Sequence, residues 1–336
     1  MKTEKRKNQP IDFVIPWVDG GDEEWIKQKQ KYSAQPEADS SSSRYRDWEV
    51  LRYWFRGVEK FAPWVRTVHF ITCGQCPEWL NKEHKKLHFV THQEYIPEEF
   101  LPTFSSHTIE LNLHRIKGLS EQFVYFNDDV FLTSRVSPSD FFKKGLPCDR
   151  AVMNAVANTD IHNFMPHILM NNMGIINMHF GRETLKRDWK KWYSLIYGRD
   201  MLKNILLRPW NYYTGFSNYH LCTPFLKSTF AEVWREEPEI LSQTCSRKFR
   251  SKSDVNQYLM RYWQFLSGRF VPGKLAGVYL TIGQDSADKI CQAIVSGKYK
   301  AVCVNDDPFE IDFELEKKNL VRAFERILPE KSGFEK

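Results

Sequence analysis

The spacing of apolar and polar positions changes along the chain, and each change marks an expected element. Ile11, Phe13, Val14 and Ile15 form a short run rich in β-branched residues, which predicts a buried strand. The run breaks at Pro16 and passes through Trp17 and Val18 into Asp19, Gly20, Gly21 and Asp22. The glycines predict a turn there, and Asp22 predicts the cap of a helix starting near Glu23. A polar, Ser-rich segment over 37–43 predicts a loop. Leu51, Trp54, Phe55, Val58 and Phe61 recur at helical spacing, so a helix opening at Asp47 and closing at Ala62 and Pro63 is expected. Residues 68–72 and 87–90 read as strands. A helix from Ser105 or Ser106 to Gly118 follows, carrying Ile109, Leu113 and Ile116. Residues 123–126 form a fourth strand that delivers Asn127, Asp128 and Asp129.

The second half repeats the logic. Pro224 predicts a helix start, with Phe230, Val233 and Trp234 on its inner face. Ser253 and Asp254 predict the cap of another helix, with Val255, Leu259, Tyr262, Trp263 and Leu266 apolar. Residues 278–282, a helix over 286–296 and residues 301–304 form a second strand–helix–strand unit, ending in Asn305, Asp306 and Asp307. A final helix covers 313–327. Residues 145–216 read as an insertion with helices near 183–197.

Strands alternating with helices predict an α/β, Rossmann-like (GT-A-like) fold, a mostly parallel sheet with helices on both faces and a helical insertion. The expected organisation is a disordered start over 1–10, catalytic segments over 11–144 and 217–336, and the insertion between them as the acceptor region. Ligands of such sheets sit beyond the carboxyl ends of the strands, and the acids at 19, 22, 128 and 129 lie at such ends.

Composition bounds this picture. The 336 residues are 42% apolar and 15% aromatic, enough for a large core. The net charge of +6 suits a phosphate-bearing ligand or an anionic membrane surface, and no Lys/Arg run points to nucleic acid. Every apolar stretch falls short of the ~20 residues that span a bilayer, and no apolar segment follows the basic N-terminus as in a signal peptide. A cytoplasmic protein is expected, with a peripheral contact at the inner face of the membrane as a further expectation; oligomeric state is left open. Seven cysteines, an odd number, predict free thiols. Cys73 and Cys76 have metal or redox spacing but no second pair to match it, so they read as structural.

The candidate chemistry lies at the strand ends. Asn127-Asp128-Asp129 and Asn305-Asp306-Asp307 each follow an apolar strand. Such oxygen clusters suit Mg2+ or Mn2+, and a nucleotide diphosphate needs that cation at the bond being broken. Each is also ordinary turn chemistry taken alone. His220, in a polar loop, is a candidate proton-transfer group, though a lone histidine is more often structural. Arg250, among Arg247, Lys248 and Lys252, suits a phosphate or forms a solvated charge cluster. Glu110 and Arg115 lie on the helix that leads into the Asp128 strand.

The stretches Ile11–Gly20, Ser43–Asp47, Ala62–Arg66, Leu101–His107, Glu110–Ser120, Tyr125–Asp129, Val302–Asp306 and Leu328–Ser332 together resemble the Stealth family. That family contains bacterial capsular polysaccharide phosphotransferases and the catalytic subunit of the animal GlcNAc-1-phosphotransferase. The likeness is dense over 11–140, thinner over 217–335, and closer to the bacterial capsule branch. It implies transfer of a hexose-1-phosphate, such as GlcNAc-1-phosphate, from a nucleotide sugar such as UDP-GlcNAc to a glycan hydroxyl, releasing UMP. The family's functional positions fall on Asp19, Glu110, Asp128, Asp129, His220, Arg250 and Asn305/Asp306.

The expected catalytic set is therefore Asp129, His220, Arg250 and Glu110. Asp19, Gly20, Arg44, Arg115 and Asp128 are expected to bind substrate, and Asp129, Asp306 and Asn305 to hold the metal. His220 or an aspartate takes the acceptor proton, and Asp128 is a ligand-orienting or a turn residue. Two rival readings remain at this level: a metal-dependent glycosyltransferase releasing UDP, and a non-catalytic glycan-binding assembly protein.

Overall fold

A computed structural model describes residues 9–33, 48–307 and 309–336. Residues 1–8, the Ser-rich loop, Arg44 and Asp47 lie outside the described residues. The strands in chain order are β1 (Ile11–Pro16), β2 (Val68–Thr72), β3 (Leu87–Thr91), β4 (Gln122–Tyr125), β5 (Val130–Leu132), β6 (Phe142–Lys143), β7 (Leu146–Asp149), β8 (Thr223–Leu226), β9 (Val271–Pro272), β10 (Gly277–Ile282) and β11 (Ala301–Asp306).

The central sheet has the order β3-β2-β1-β4-β8. Its first four strands are parallel and β8 runs antiparallel to β4. Side chains alternate across it: Phe13 and Ile15 enter one core cluster and Val14 enters the other. Both faces are covered, which is why Phe13, Val14 and Ile15 of β1 are apolar in succession. The expected mostly parallel α/β fold is thus present.

Helix Leu51–Phe61 covers one face, and Gly57 lets it approach closely: a Cβ there would lie 3.0 Å from the Leu132 carbonyl of β5. Helices Lys227–Glu236, Pro238–Ser246 and Tyr258–Leu266 pack in the other cluster.

The second strand–helix–strand unit forms as expected, with β10 and β11 parallel in register and helix Ala287–Val295 between them. It does not extend the central sheet. Instead β11 pairs antiparallel with β5, the short strand directly after Asp129. A third small sheet, β6-β7-β9, borders the insertion.

Four local expectations change. The segment after Pro224 is first strand β8 and only then helix Lys227–Glu236. Pro224 is tolerated because β8 is an edge strand, where a missing N–H costs no ladder bond. The helix from Ser106 stops at Leu111, because the Asn112 side chain donates to the Thr108 carbonyl within it; a separate turn, Leu113–Arg115, follows. Asp254 does not cap helix Tyr258–Leu266; its carboxylate instead accepts from the Ser251 N–H within its own loop. The insertion holds short helices over 183–206 and also the unforeseen 16-residue helix Phe164–His179.

Candidate active site

The carboxyl ends of β1, β4 and β11 open onto one cleft of about 620 Å³. Trp17 and Val18 come from the segment just after β1, and Asn127, Asp128 and Asp129 from the turn between β4 and β5. Asn305 and Asp306 end β11, Glu110 faces in from helix Ser106–Leu111, and His220 and Arg250 come from loops. Six segments far apart in sequence therefore share one cavity.

Asp129 is at the centre. Its backbone carbonyl accepts from the Val304 N–H at 2.9 Å, which locks the β4–β5 turn against β11. Its Oδ2 lies 3.2 Å from His220 Nε2 and accepts from the Cys303 thiol, also at 3.2 Å. Asn127 Nδ2 lies 3.3 Å from the same histidine nitrogen. Burial opposes charge on His220, but the Asp129 carboxylate outweighs it and raises the imidazole above its ordinary value. His220 also holds a positive φ of 45°, a left-handed conformation that a non-glycine residue adopts only when its surroundings impose it. Its ring stands edge-on to Tyr279.

Asp128 opens onto the cleft, yet the protein around it, and then the neighbouring Asp129 charge, push its carboxyl up to about 7. Glu110 Oε1 accepts from the Tyr125 hydroxyl at 3.2 Å, while its buried Oε2 makes no hydrogen bond. Arg250 donates to the Ser106 hydroxyl at 2.6 Å, which ties its loop to the helix that carries Glu110. Asp306 Oδ2 accepts from Trp48 Nε1 at 3.1 Å. The Asn305 side-chain N–H is buried and has no acceptor.

The set fits a divalent cation held by oxygen. Asp129 Oδ1 is buried without a hydrogen-bond partner, and a second carboxylate stands beside it. Asp129, His220 and Cys303 also present ligand atoms within 4.8 Å of one another, a softer set. Cys303, however, donates its hydrogen to Oδ2, as a thiol rather than a thiolate, and leaves Oδ1 as the free oxygen.

Three expected binding residues stand elsewhere. Asp19 flanks the cleft beyond Trp17 and Val18 but does not line it; its backbone N–H and carbonyl are held by the Gln75 amide, and its Oδ1 accepts from Gly21 N–H. Gly20 belongs to the same flanking turn. Arg115 lies outside the cleft, bonded to Asn112 and stacked over Trp234 at 4.8 Å.

The geometry adds residues that the sequence reading passed over. His107 lines the cleft, and its Nδ1 lies 2.9 Å from Oδ2 of the fully buried Asp254. Asp254 also accepts from Arg247 and from the Ser251 N–H, so one carboxylate fastens the Arg250 loop to helix Ser106–Leu111. The spacing of His107 and Glu110, three apart on a helix, was the available signal. Cys303 shares a strand face with Asn305, two residues on.

The chain matches the descriptions "Stealth protein CR1, conserved region 1" over residues 9–36 and "Stealth protein CR2, conserved region 2" over 44–148. It is 41% identical to a capsular polysaccharide phosphotransferase WcwK of Streptococcus pneumoniae, over 98% of both chains. It is 40% identical to the receptor polysaccharide phosphotransferase WefC of Streptococcus gordonii, over 97% of this chain and 99% of the other. Among solved structures, a galactosyltransferase LgtC with donor and acceptor sugar analogues matches at 10% identity and a TM-score of 0.39, covering 94% of this chain and 96% of that one. The two phosphotransferase relatives, 40–41% identical over nearly the whole chain, define a transferase. Within that class, the chain belongs to the Stealth family of phosphotransferases.

Proposed function

We propose that the protein transfers a hexose-1-phosphate, such as GlcNAc-1-phosphate, from a nucleotide sugar such as UDP-GlcNAc to a hydroxyl of a glycan acceptor in capsular or cell-surface polysaccharide synthesis. The acceptor oxygen forms a bond to the phosphorus that carries the sugar, and the bond from that phosphorus to the bridging oxygen breaks. The hydroxyl proton passes to the enzyme, and UMP leaves. The names of the relatives, capsular polysaccharide and exopolysaccharide phosphotransferases, support this pathway. The observation that carries the reading is the convergence of Asp129, Glu110, His220 and Arg250 on one cleft beyond the strand ends.

Each residue has a task in this reading. Magnesium or manganese, held by Asp129 with Asp306 and Asn305, would offset the charge of the diphosphate where the bond breaks. Arg250, held by Ser106, faces the charge that develops on the transferred phosphoryl group. His220, whose Nε2–H donates to Asp129, accepts the acceptor proton at its other ring nitrogen. Asp128 orients the donor, and Glu110, fixed by Tyr125 through one oxygen, offers the other to a sugar hydroxyl. The loop of Asp19 and Gly20 borders the nucleotide, and Arg44 supplies a further contact to it. The enzyme works in the cytoplasm and touches the inner face of the membrane; no helix among the described residues is long and apolar enough to cross one.

Identifying the nucleotide released tests the reaction. UDP-GlcNAc, magnesium and a glycan acceptor should yield UMP together with a phosphodiester-linked sugar. UDP as the product would make the protein a glycosyltransferase instead. Absence of metal-dependent nucleotide-sugar binding in calorimetry would favour a non-catalytic, glycan-binding assembly role.

A further inference from the structure

The insertion presents an apolar surface that the cleft does not use. Within residues 195–212, Leu195 is 84% exposed, Leu202 55%, Leu206 70%, Trp210 55% and Tyr212 69%. Soluble surfaces expose single large apolar residues commonly, but not five in one short segment.

The exposure is built into the fold. In helix Met201–Leu206 the fully buried Asn204 faces the body: its amide donates to the Ala151 and Trp192 carbonyls, and its oxygen accepts from the Met153 N–H. At about 100° per residue, Leu202 and Leu206 both fall close to the opposite side, so they point straight outward. Asn204 therefore fixes the orientation of the apolar face.

Charge decides the partner. Arg199, Lys203 and Arg208 are exposed in the same segment. The single acid there, Asp200, is paired with Arg150 at 3.2 Å and also neighbours Lys203. Aliphatic side chains, Trp and Tyr with polar tips, and cations without an opposing free acid are the chemistry of the interface of an anionic bilayer.

We propose that residues 195–212 dock the enzyme on an anionic membrane surface, Leu202 and Leu206 entering the interface and Arg199, Lys203 and Arg208 meeting lipid head groups. The inference names the surface and lipid class for the membrane contact in the proposed function, and rests on that reading. It also places the cleft near the bilayer. Asp200 accepts from the Tyr219 hydroxyl, and the Arg150 guanidinium lies 3.9 Å from the Tyr219 ring, so the docking segment is braced against the residue before His220. An acceptor glycan held at the membrane would reach His220 from this side.

The test is sedimentation of the full chain with vesicles of phosphatidylcholine alone and of phosphatidylcholine mixed with phosphatidylglycerol. Binding should appear with the mixed vesicles and weaken as salt rises. Leu202→Ser with Leu206→Ser should weaken it at least about 10-fold with an unchanged Tm. Replacing Arg199, Lys203 and Arg208 with Gln should remove the dependence on anionic lipid. No sedimentation of the wild type with either vesicle overturns the proposal, as does equal binding by the leucine variant. A dimer in solution that Leu206→Ser dissociates, without vesicle binding, reassigns the face to a second copy of the chain. UMP release on a soluble acceptor, measured in parallel, separates failure of the transfer reading from failure of docking.

Discussion

Asp129 and His220 are 91 residues apart in sequence, yet Oδ2 of one lies 3.2 Å from Nε2 of the other. The Asp129 carboxylate thus has two tasks at once: one oxygen holds His220 and Cys303, and the other is buried without a partner. Asp129→Asn should lower nucleotide release by about 10²–10³-fold while leaving circular dichroism and Tm close to wild type. Near-normal turnover with magnesium would remove Asp129 from the metal site.

His220→Gln removes the proposed proton acceptor and keeps a polar side chain of similar reach. A loss of kcat of about 10²–10⁴-fold, with KM for the nucleotide sugar little changed, is expected from steady-state kinetics. A rise in KM at unchanged kcat would assign His220 to donor binding.

Asp254→Asn should act on two levels. It leaves the buried His107 and the Ser251 N–H poorly matched, so stability should fall by about 3 kcal/mol in urea melts. It also loosens the loop that positions Arg250, which should lower kcat/KM for the donor. A stable variant with full activity would show that the Arg250 loop is held by other contacts.

Asp12, at the opposite end of β1 from the cleft, gives a prediction for acid. Burial would raise its carboxyl, but hydrogen bonds from His69, Arg66 and the Ser120 N–H outweigh it and hold the group at about 2. A carboxyl depressed in the folded state stabilises the fold above its ordinary value of 3.8, and that stability is lost as pH falls through about 2. Asp12→Asn should therefore be less stable than wild type by about 2 kcal/mol at neutral pH, with the gap closing as urea melts are taken down toward pH 2. A gap independent of pH would show that the effect is packing alone.

Strands β1–β4, β10 and β11 were legible because their apolar runs are short, rich in β-branched residues and bounded by Gly, Pro or acid, whereas β5, β6, β7 and β9, of two to four residues, were too short to give a pattern. Helix Glu23–Tyr32 was legible from Asp22, whose side chain does accept from the Trp25 N–H. Strand β8 was not, since Pro224 signals a helix start locally and only pairing with β4 shows an edge strand. The break at Asn112 was hidden for a similar reason, because a side-chain bond to the Thr108 carbonyl overrides an apolar spacing that continues past it. Helix Phe164–His179 escaped because its Asn, His and Met residues give no one-sided stripe.

The amino-acid sequence by itself determined the α/β alternation, the acids at the strand ends and the family, since all three are carried by local residue order. The tertiary structure decided which acids work together. Asp129 meets Cys303 and the Val304 N–H because β5 pairs with β11 across 170-odd residues of chain, and it meets His220 because β8, just after the histidine loop, pairs with β4. The same long-range packing left Arg115 stacked on Trp234 and brought His107 onto Asp254. Local patterns record the preference of each segment for strand or helix. They hold no record of which loops close over the same cavity, because that depends on contacts between segments remote in sequence.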